Sequence, residues 1–456
     1  MSATRLRCLV VCVALASSGA ACASCDKQRD TARSDAATPP RPARDSGTPE
    51  PTKPGKDASV SRDASTPKDA SPMRDAAPPL DAGRADAKTA APPQDGGGDD
   101  DPIVALTAGA AHAFASRQSG ATYAWGRNAH GELSSKYTGD GPQPQRVGFD
   151  VAWKGMRAGG ASKDTGHTCA ISGGAVWCWG ANDYGQLGDG TTNGSAEPVR
   201  ALGLSDATAL DAGSSHTCAL RANGGVMCWG RGDSGQLGTG KLNDELQPTA
   251  VVSLSDAASL SVGAYHGCAA RAQDVVCWGA NAYGELGRGD RMLSATPVVV
   301  SGLGRVRAVE AGGFATCAIA LDGKVSCWGS NEYGQLGTGG GGTGNVGASP
   351  LAVDGLSDVV QLSLGGSHSC AYTQSGAAYC WGGNALGQLG DGTKSGHDKP
   401  VRVVGLEAVR RIEAGSGFTL ALDAHAGLVA FGANDSGQLG DGTRTARTRP
   451  VPVLLP

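Results

Sequence analysis

The stretch VWCWGANDYGQLGDGT, residues Val176–Thr191, recurs along the chain with changes at only some positions. Close copies are VMCWGRGDSGQLGTG from Val226, VSCWGSNEYGQLGTG from Val325 and AYCWGGNALGQLGDGT from Ala378. A Trp-Gly pair, once replaced by Phe-Gly, anchors seven units at Trp125, Trp179, Trp229, Trp278, Trp328, Trp381 and Phe431. The spacings of these anchors are 54, 50, 49, 50, 53 and 50 residues, which predicts an array of similar supersecondary units.

Each unit reads as four short strands separated by Gly or Pro. In the sixth unit these are VVQLSLG, HSCAY, AAYCWG and PVRVV, each with β-branched or alternating apolar residues. Units of this size cannot bury both faces alone, so they predict an all-β, seven-bladed propeller over residues 103–456. The chain ends, RPVPVLLP and PIVALTAGAAHAFA, together resemble an interior junction. We therefore expect the two ends to close the ring by completing one blade.

Composition agrees with a β-rich fold. The 456-residue chain has 72 glycines, 18% charged residues and 5% aromatic residues, which favours turns and strands over a helical enzyme. The formal net charge is -4, and no stripe of Lys and Arg crosses the repeats. A nucleic-acid partner is therefore not expected, because such binding needs clustered cations.

The pattern AGxxHTCAL, a hairpin and CWGxNxxGQLGxGT resembles the regulator of chromosome condensation repeat over Ile103–Pro456. That resemblance implies a seven-bladed propeller. In the founding member it implies nucleotide exchange on a small nuclear GTPase, a role that does not suit an exported chain. Secreted bacterial propellers that resemble the family bind an enzyme through their loops. We therefore expect a module that binds a protein or extracellular ligand, and we expect it to be a monomer without a cofactor.

The N-terminus predicts export. Arg5 and Arg7 precede a short apolar run and small residues, as in a signal peptide, which we place at residues 1–22. Cys22 follows Ala20-Ala21 as a lipidated cysteine would, Cys25 is the alternative, and plain secretion is the competing outcome. Residues 23–102, rich in Ala, Asp and Pro, cannot bury enough apolar surface to fold and predict a disordered tether. The expected location is the cell envelope, with the lipid anchor as the single membrane attachment.

The ten cysteines of the repeats predict five disulfides. Each pair flanks a hairpin turn, and two loop lengths, around Gly173-Gly174 and Leu321-Asp322-Gly323, keep the two cysteines opposite each other. The first and seventh units lack both cysteines together, and the C-x-x-C spacing of zinc knuckles is absent from the repeats. The predicted bridges are Cys169–Cys178, Cys218–Cys228, Cys268–Cys277, Cys317–Cys327 and Cys370–Cys380.

Neither a metal site nor a catalytic motif stands out. Asp183 and Asp189 lie in a turn without the alternating acids of a calcium loop, so Asp189 is expected to shape the turn. A histidine recurs at the start of the second strand, and we expect each ring to hydrogen-bond within its own blade rather than form a metal ring. These histidines are His112, His167, His216, His266 and His368. The alternative function is a lyase or hydrolase with its site at the mouth of the central channel.

Strand alternation places the first-to-second and third-to-fourth connections on the same side of a propeller. The departures from the repeat fall in those connections, at residues 134–145, 161–166 and 338–349, and irregular loops are where function is usually carried. We expect this side to be the binding face. The candidate contact residues are Tyr137, Trp153, Lys163, Asp164 and Asn345.

Overall fold

The fold is that of a computed structural model that describes residues 101–134, 139–149, 151, 153–160, 165–342, 344–425 and 427–456. The predicted signal peptide, Cys22, Cys25 and all but the last two residues of the tether lie outside the described residues. None of the described residues belongs to a helix of the length and apolar character that crossing a membrane requires.

The described residues form 28 strands, numbered here in chain order and grouped into seven sheets of four. Blades 1 to 3 contain β1 (Ile103–Ala108), β2 (His112–Arg117), β3 (Thr122–Gly126), β4 (Gly141–Arg146), β5 (Lys154–Gly159), β6 (His167–Ser172), β7 (Ala175–Gly180), β8 (Ser195–Arg200), β9 (Ala207–Ala212), β10 (His216–Arg221), β11 (Val226–Gly230) and β12 (Glu245–Ala250). Blades 4 and 5 contain β13 (Ser259–Val262), β14 (His266–Ala270), β15 (Val275–Gly279), β16 (Ser294–Val299), β17 (Val306–Gly312), β18 (Ala315–Ala320), β19 (Val325–Ser330) and β20 (Val346–Ala352). Blades 6 and 7 contain β21 (Val359–Leu364), β22 (His368–Thr373), β23 (Ala378–Gly382), β24 (His397–Arg402), β25 (Val409–Ala414), β26 (Phe418–Asp423), β27 (Gly427–Gly432) and β28 (Arg447–Pro452).

The predicted seven-bladed propeller of four-stranded antiparallel blades is confirmed. Within each sheet the strands pair in sequence order, and the first strands of successive blades pack side by side around the axis. The expectation that both chain ends complete one blade is wrong, because every blade is one continuous stretch of chain. The repeats begin with a first strand and end with a fourth, so no strand is left over to be shared.

The ring instead closes where blade 1 meets blade 7. The Trp125 indole donates to the Gln438 carbonyl at 2.9 Å, and the Ser416 amide donates to the Gly109 carbonyl at 3.2 Å. The Arg117 guanidinium reaches the carbonyls of both Asp101, at 2.8 Å, and Pro456, at 3.2 Å. Both ends of the described ring therefore lie beside one side chain.

The five predicted disulfides are present, and the hairpin register explains them. Cys169 pairs directly with Cys178, their Cα atoms 4.1 Å apart, across the two-residue Gly173-Gly174 turn. The three-residue turn between β18 and β19 keeps the same pairing, with Gly323 at φ 79°, a conformation that suits glycine. The bridges are Cys169–Cys178, Cys218–Cys228, Cys268–Cys277, Cys317–Cys327 and Cys370–Cys380.

One apolar cluster fills each interface between neighbouring blades. The Cys169–Cys178 bridge, for example, packs with Leu187 of its own blade and Trp229 of the next. Blades without cysteines place apolar pairs at the same register, such as Phe114 opposite Ala124, which pack beneath Trp179. Every bridge is fully buried, so the disulfides fill the core as well as linking two strands.

Candidate functional site

The first-to-second and third-to-fourth connections emerge on one side of the ring, as predicted; we call this side the loop face. The two connections also bind each other. The amide of Arg127, just after β3, donates to the Ala111 carbonyl of the preceding turn, and Ala181 donates to Gly166 in the same way. Within each of these blades, a hydrogen bond therefore holds the two connections of the loop face together.

The predicted contact residues have different fates. Tyr137, Lys163 and Asp164 lie outside the described residues, so their role stays a prediction. Asn345 is exposed on the loop face, and its backbone holds the insertion by accepting from the Asn331 amide at 2.9 Å. Trp153 does not lie there: it follows a fourth strand, on the opposite side of the ring, and its ring centroid is 5.9 Å from that of Trp179. Trp153 lies in a connection from a fourth strand to the next first strand, and strand alternation places that connection on the side opposite the loop face.

Each repeat tryptophan fastens its blade to the preceding one. Trp179 donates from Nε1 to the Glu132 carbonyl at 2.9 Å, and Trp328 donates to the Glu285 carbonyl at 2.8 Å. The acceptor always belongs to the Gln or Glu of the GQLG-type turn. Six such bonds run from blade to preceding blade, at Trp125, Trp179, Trp229, Trp278, Trp328 and Trp381.

Four of the five repeated histidines bind a threonine of the next blade, which the expectation of bonds within one blade did not include. The expected kind of contact is found at His167, whose Nδ1 lies 3.3 Å from the Thr165 carbonyl of its own blade. His266 Nε2 lies 2.8 Å from Thr316 Oγ1 of the next blade. Thr316 donates its hydroxyl hydrogen to the Glu285 carbonyl at 3.1 Å, so its oxygen accepts from the imidazole. The ring therefore carries a hydrogen on Nε2. The same contact joins His112 to Thr168, His167 to Thr217 and His368 to Thr419.

Two departures from this contact come in matched pairs. Blade 5 has Ala315 instead of histidine, and the next blade has Ser369 instead of threonine. Ser369 donates to the Gln335 carbonyl at 2.8 Å. Blade 7 has Phe418 instead of histidine, and blade 1 has Ala113 instead of threonine; both belong to the same apolar cluster. A third departure is unmatched: blade 4 has Gly267 at the position of the threonine, and the His216 ring has no hydrogen-bond partner among the described residues.

Burial holds these histidines neutral. It lowers the pKa of His112, His167 and His266 from 6.5 to about 4, and that of His216 and His368 to about 3. In the part of the chain that the structure describes, no group of three or more His, Cys, Asp or Glu side chains is arranged to hold a metal ion. The histidine positions thus belong to the contacts between neighbouring blades.

A cluster on the loop face was missed by the sequence analysis. The Arg231 guanidinium lies 5.0 Å from the Tyr184 ring centroid and 5.7 Å from that of Tyr265. The Tyr265 and Phe314 rings are 6.0 Å apart, and Tyr283 and Phe314 are 5.3 Å apart. We call these five residues, contributed by blades 2 to 5, the aromatic–arginine cluster. All five are half-buried, with part of each side chain still accessible on the loop face.

The positive charge of Arg231 in the cluster is stabilised by the neighbouring Asp233. The Arg231 side chain, 17% exposed, pairs with the half-exposed Asp233 at 2.7 Å. Burial opposes the charge, but the bond to Asp233 and the nearby tyrosines together raise the pKa of Arg231 above its ordinary value. The sequence does contain a signal for this cluster. The position before Gly in the GQLG-type turn holds Tyr184 in blade 2, Tyr283 in blade 4 and Tyr333 in blade 5.

The loop face also contains the mouth of the central channel. The turns and first strands line a polar cavity of about 190 Å³ there. Its ionisable lining residues are Arg157, Asp211, Glu310 and Glu413, and histidine is absent from the described residues that line it. Burial raises the pKa of Asp211, although Arg157 lies 3.5 Å away.

The Regulator of chromosome condensation (RCC1) repeat matches five segments: residues 173–220, 223–270, 274–319, 322–372 and 375–422. Together the five segments cover more than half of the chain. The chain belongs to the RCC1 repeat family. A second model with the same description matches residues 207–236, 306–335 and 359–388. RCC1-repeat propellers are protein-interaction modules.

Curated relatives share only part of the RCC1-repeat region. Human E3 ubiquitin-protein ligase HERC2 is 32% identical over 120 residues, which are 26% of this chain and 2% of HERC2. The human probable E3 ubiquitin-protein ligase HERC3 is 33% identical over 121 residues, again 26% of this chain and 11% of HERC3. The chain therefore spans a small fraction of these relatives, and their ligase activity belongs to them.

Solved RCC1-repeat structures share the fold. Human WBSCR16 has a TM-score of 0.65 at 22% identity, covering 74% of this chain and 94% of that one. Yeast RCC1 (Prp20), solved bound to Kap60, has a TM-score of 0.65 at 22% identity, covering 78% and 84%. Prp20p from Saccharomyces cerevisiae, whose binding to Gsp1p and histones was examined, has a TM-score of 0.64 at 23% identity, covering 73% and 85%. At these identities the likeness concerns the fold alone.

Proposed function

We propose that this RCC1-repeat propeller is an exported, lipid-anchored module that binds a protein through its loop face. The observation that carries the proposal is the aromatic–arginine cluster. Tyrosine and arginine dominate the residues whose removal most weakens protein complexes, because large side chains with a polar end bury area at low entropic cost. Four blades contribute to one cluster, so a single partner would contact several loops at once.

The electrostatics of the cluster suit such a contact. Arg231 is held between two tyrosine rings and an acid, so its side chain is ordered before a partner arrives. Ordering a long side chain in advance reduces the entropy lost on binding. The exposed Tyr333, half accessible to solvent, is a second residue of blade 5 on this surface.

Export is supported by the chemistry of the core. Five disulfides persist only where thiols are oxidised, outside the cytosol of most cells. The predicted signal peptide at residues 1–22 and tether at residues 23–102 supply the route and the spacer.

Binding is tested with one variant and its matched control. Arg231→Ala removes the cluster arginine, and Arg402→Ala removes an arginine in the same relation to Tyr379, 6.0 Å from its ring, on an outermost strand. Envelope proteins cross-linked to the intact chain are compared among the parent and both variants. We expect a product that Arg402→Ala retains and Arg231→Ala loses. Equal products from all three proteins refute the use of this face.

Anchoring is tested separately. Incorporation of labelled palmitate in a bacterial host should be abolished by Cys22→Ser and preserved by Cys25→Ser. The reverse pattern moves the anchor to Cys25. Absence of label from the parent, with the chain found in the medium, establishes plain secretion and rejects the anchor.

A further inference from the structure

The GQLG-type turn of blade 4 contains a buried carboxyl where most blades have a carboxamide. Glu285 occupies the glutamine position, and its Oε2 atom accepts from the Tyr283 amide at 2.8 Å. In blade 6 the Gln388 carboxamide accepts from the Leu386 amide in the same way, at 3.0 Å. The bond therefore needs an acceptor but not a charge. Five blades have glutamine at this position: Gln186, Gln236, Gln335, Gln388 and Gln438.

The other glutamate at this position has a cation beside it. Glu132 of blade 1 is fully buried and pairs with Arg127 at 2.9 Å. Arg127 directly follows the Trp-Gly pair of its blade, and Ala280 stands at the same place in blade 4. Glu285 is only 1% exposed. It is therefore buried to the same extent without the arginine that compensates its equivalent.

The surroundings of Glu285 offer little to a negative charge. At the equivalent position, the Nε2 atoms of Gln186 and Gln236 have no hydrogen-bond partner among the described residues. The cation that acts on the Glu285 carboxyl is Arg291, which is exposed on the following connection. Burial outweighs Arg291 and the amides of the turn, and it raises the pKa of Glu285 to about 7.

Two other ionisable groups near the turn stay neutral between pH 6 and pH 8. His266, in the second strand of the same blade, is neutral because burial lowers its pKa to about 4. Burial, Glu332, Glu285 and Tyr333 raise the pKa of Tyr283 above its ordinary value, so the phenol keeps its hydrogen. A change in the charge of Glu285 is therefore not masked by either of these groups.

Tyr283 connects this carboxyl to the loop face. Its ring centroid lies 5.3 Å from that of Phe314, which in turn lies 6.0 Å from that of Tyr265. An ionised carboxyl without a cation favours conformations in which water reaches it. Such conformations require the turn to move, because Glu285 is almost completely covered when the turn is closed. Movement of the turn displaces Tyr283 from Phe314.

We infer that Glu285 is a pH-sensitive support for the aromatic–arginine cluster, which holds the Tyr283 turn closed while its carboxyl is neutral and releases the turn when it is ionised. The closed turn favours the neutral carboxyl, so closure is most stable in acid and weakens as the pH rises through about 7. The effect on a partner rests on the proposed function, whereas the effect on the turn does not.

Hydrogen exchange of the intact chain tests the effect on the turn. With a pKa of 4.5 in the open turn and about 7 in the closed turn, the opening constant should rise about tenfold from pH 6 to pH 8. Exchange in residues 280–287, corrected for the intrinsic effect of pH on amide exchange, reports this constant. Residues 433–440 of blade 7, which contain Gln438, are the internal control and should change by less than about twofold. Equal changes in the two segments overturn the inference.

Two variants assign the change to the carboxyl. Glu285→Gln installs the side chain of five other blades and should reduce the change in residues 280–287 to less than about twofold. Gln388→Glu places a carboxyl in blade 6, where Gly383 stands at the arginine position, and should give residues 383–390 a change of about tenfold. A change retained by Glu285→Gln overturns the inference, as does its absence from blade 6 of Gln388→Glu.

A second arm separates this inference from the proposed function. The cross-linked product described above is compared between the parent and Glu285→Gln at pH 6 and at pH 8. We expect the ratio of parent product to variant product to fall at pH 8, because the displaced ring no longer contributes to the contact. A constant ratio overturns the control of binding. A chain that shows the expected exchange but cross-links to nothing rejects the proposed function and keeps the pH-sensitive turn.

Discussion

Replacing His266 by glutamine should make the protein less sensitive to acid. His266 is 1% exposed, and burial alone lowers its pKa from 6.5 to about 4. The unfolded chain therefore binds a proton below about pH 6.5 that the folded chain takes up only near pH 4. The stability that depends on a neutral ring is present above pH 6.5 and is lost as the pH falls toward 4.

The size of the effect follows from these two pKa values. A difference of one in pKa corresponds to about 1.4 kcal/mol, so the folded state loses about 2 kcal/mol through this ring between pH 7.5 and pH 5.0. Glutamine does not titrate, and its amide can donate to Thr316 Oγ1, which accepts the ring hydrogen in the parent. The variant should lose about 2 kcal/mol less than the parent over this interval, whatever its stability at pH 7.5.

Urea unfolding at pH 7.5 and 5.0, with disulfides intact and ionic strength constant, measures the difference. The fully buried repeat tryptophans report unfolding by fluorescence. His397→Gln is the control, because that ring is 38% exposed and bonded to Asp391 at the surface; it should alter the difference by less than about 1 kcal/mol. An equal pH dependence in parent and His266→Gln refutes the role assigned to burial.

Three further outcomes are expected. Thr316→Val removes the acceptor of a buried imidazole and a donor to a carbonyl, and should lower the unfolding free energy by about 1–3 kcal/mol in urea titrations. Gly263→Ala places a Cβ against a ring carbon of His266 and should cost about 1–3 kcal/mol, whereas Gly304→Ala meets nothing within 4 Å and should be neutral or stabilising in the same assay. Replacing Cys268 and Cys277 by serine should cost at least about 2–3 kcal/mol, and reduction of the unfolded parent should add two hydrogens for each of five bridges by intact mass.

Much of the fold follows from local patterns that repeat. The blade count, the four strands and the disulfide register all depend on contacts within about 50 residues, and each was repeated often enough to be read from spacing alone. The pairing of Cys169 with Cys178 needed only a turn length and a strand period. Contacts of this range are set by the sequence close to them.

Contacts between blades were harder to predict. The threonine partner of each bonded histidine lies about 50 residues away, and nothing near His266 points to Thr316. Only the paired departures reveal the relation, and they become visible once the neighbouring blade is known. The cluster around Arg231 was missed for the same reason, because it gathers single residues from four repeats.

The guanidinium of Arg117 bonds to the carbonyls of both Asp101 and Pro456, so these two points of the chain lie close together. A few added residues would join these two ends, and the chain could then be opened in the exposed connection at Gly302. Such a circular permutant would leave every blade continuous, since each sheet is made from one stretch of chain. The closed ring therefore does not require any particular blade to come first in the chain.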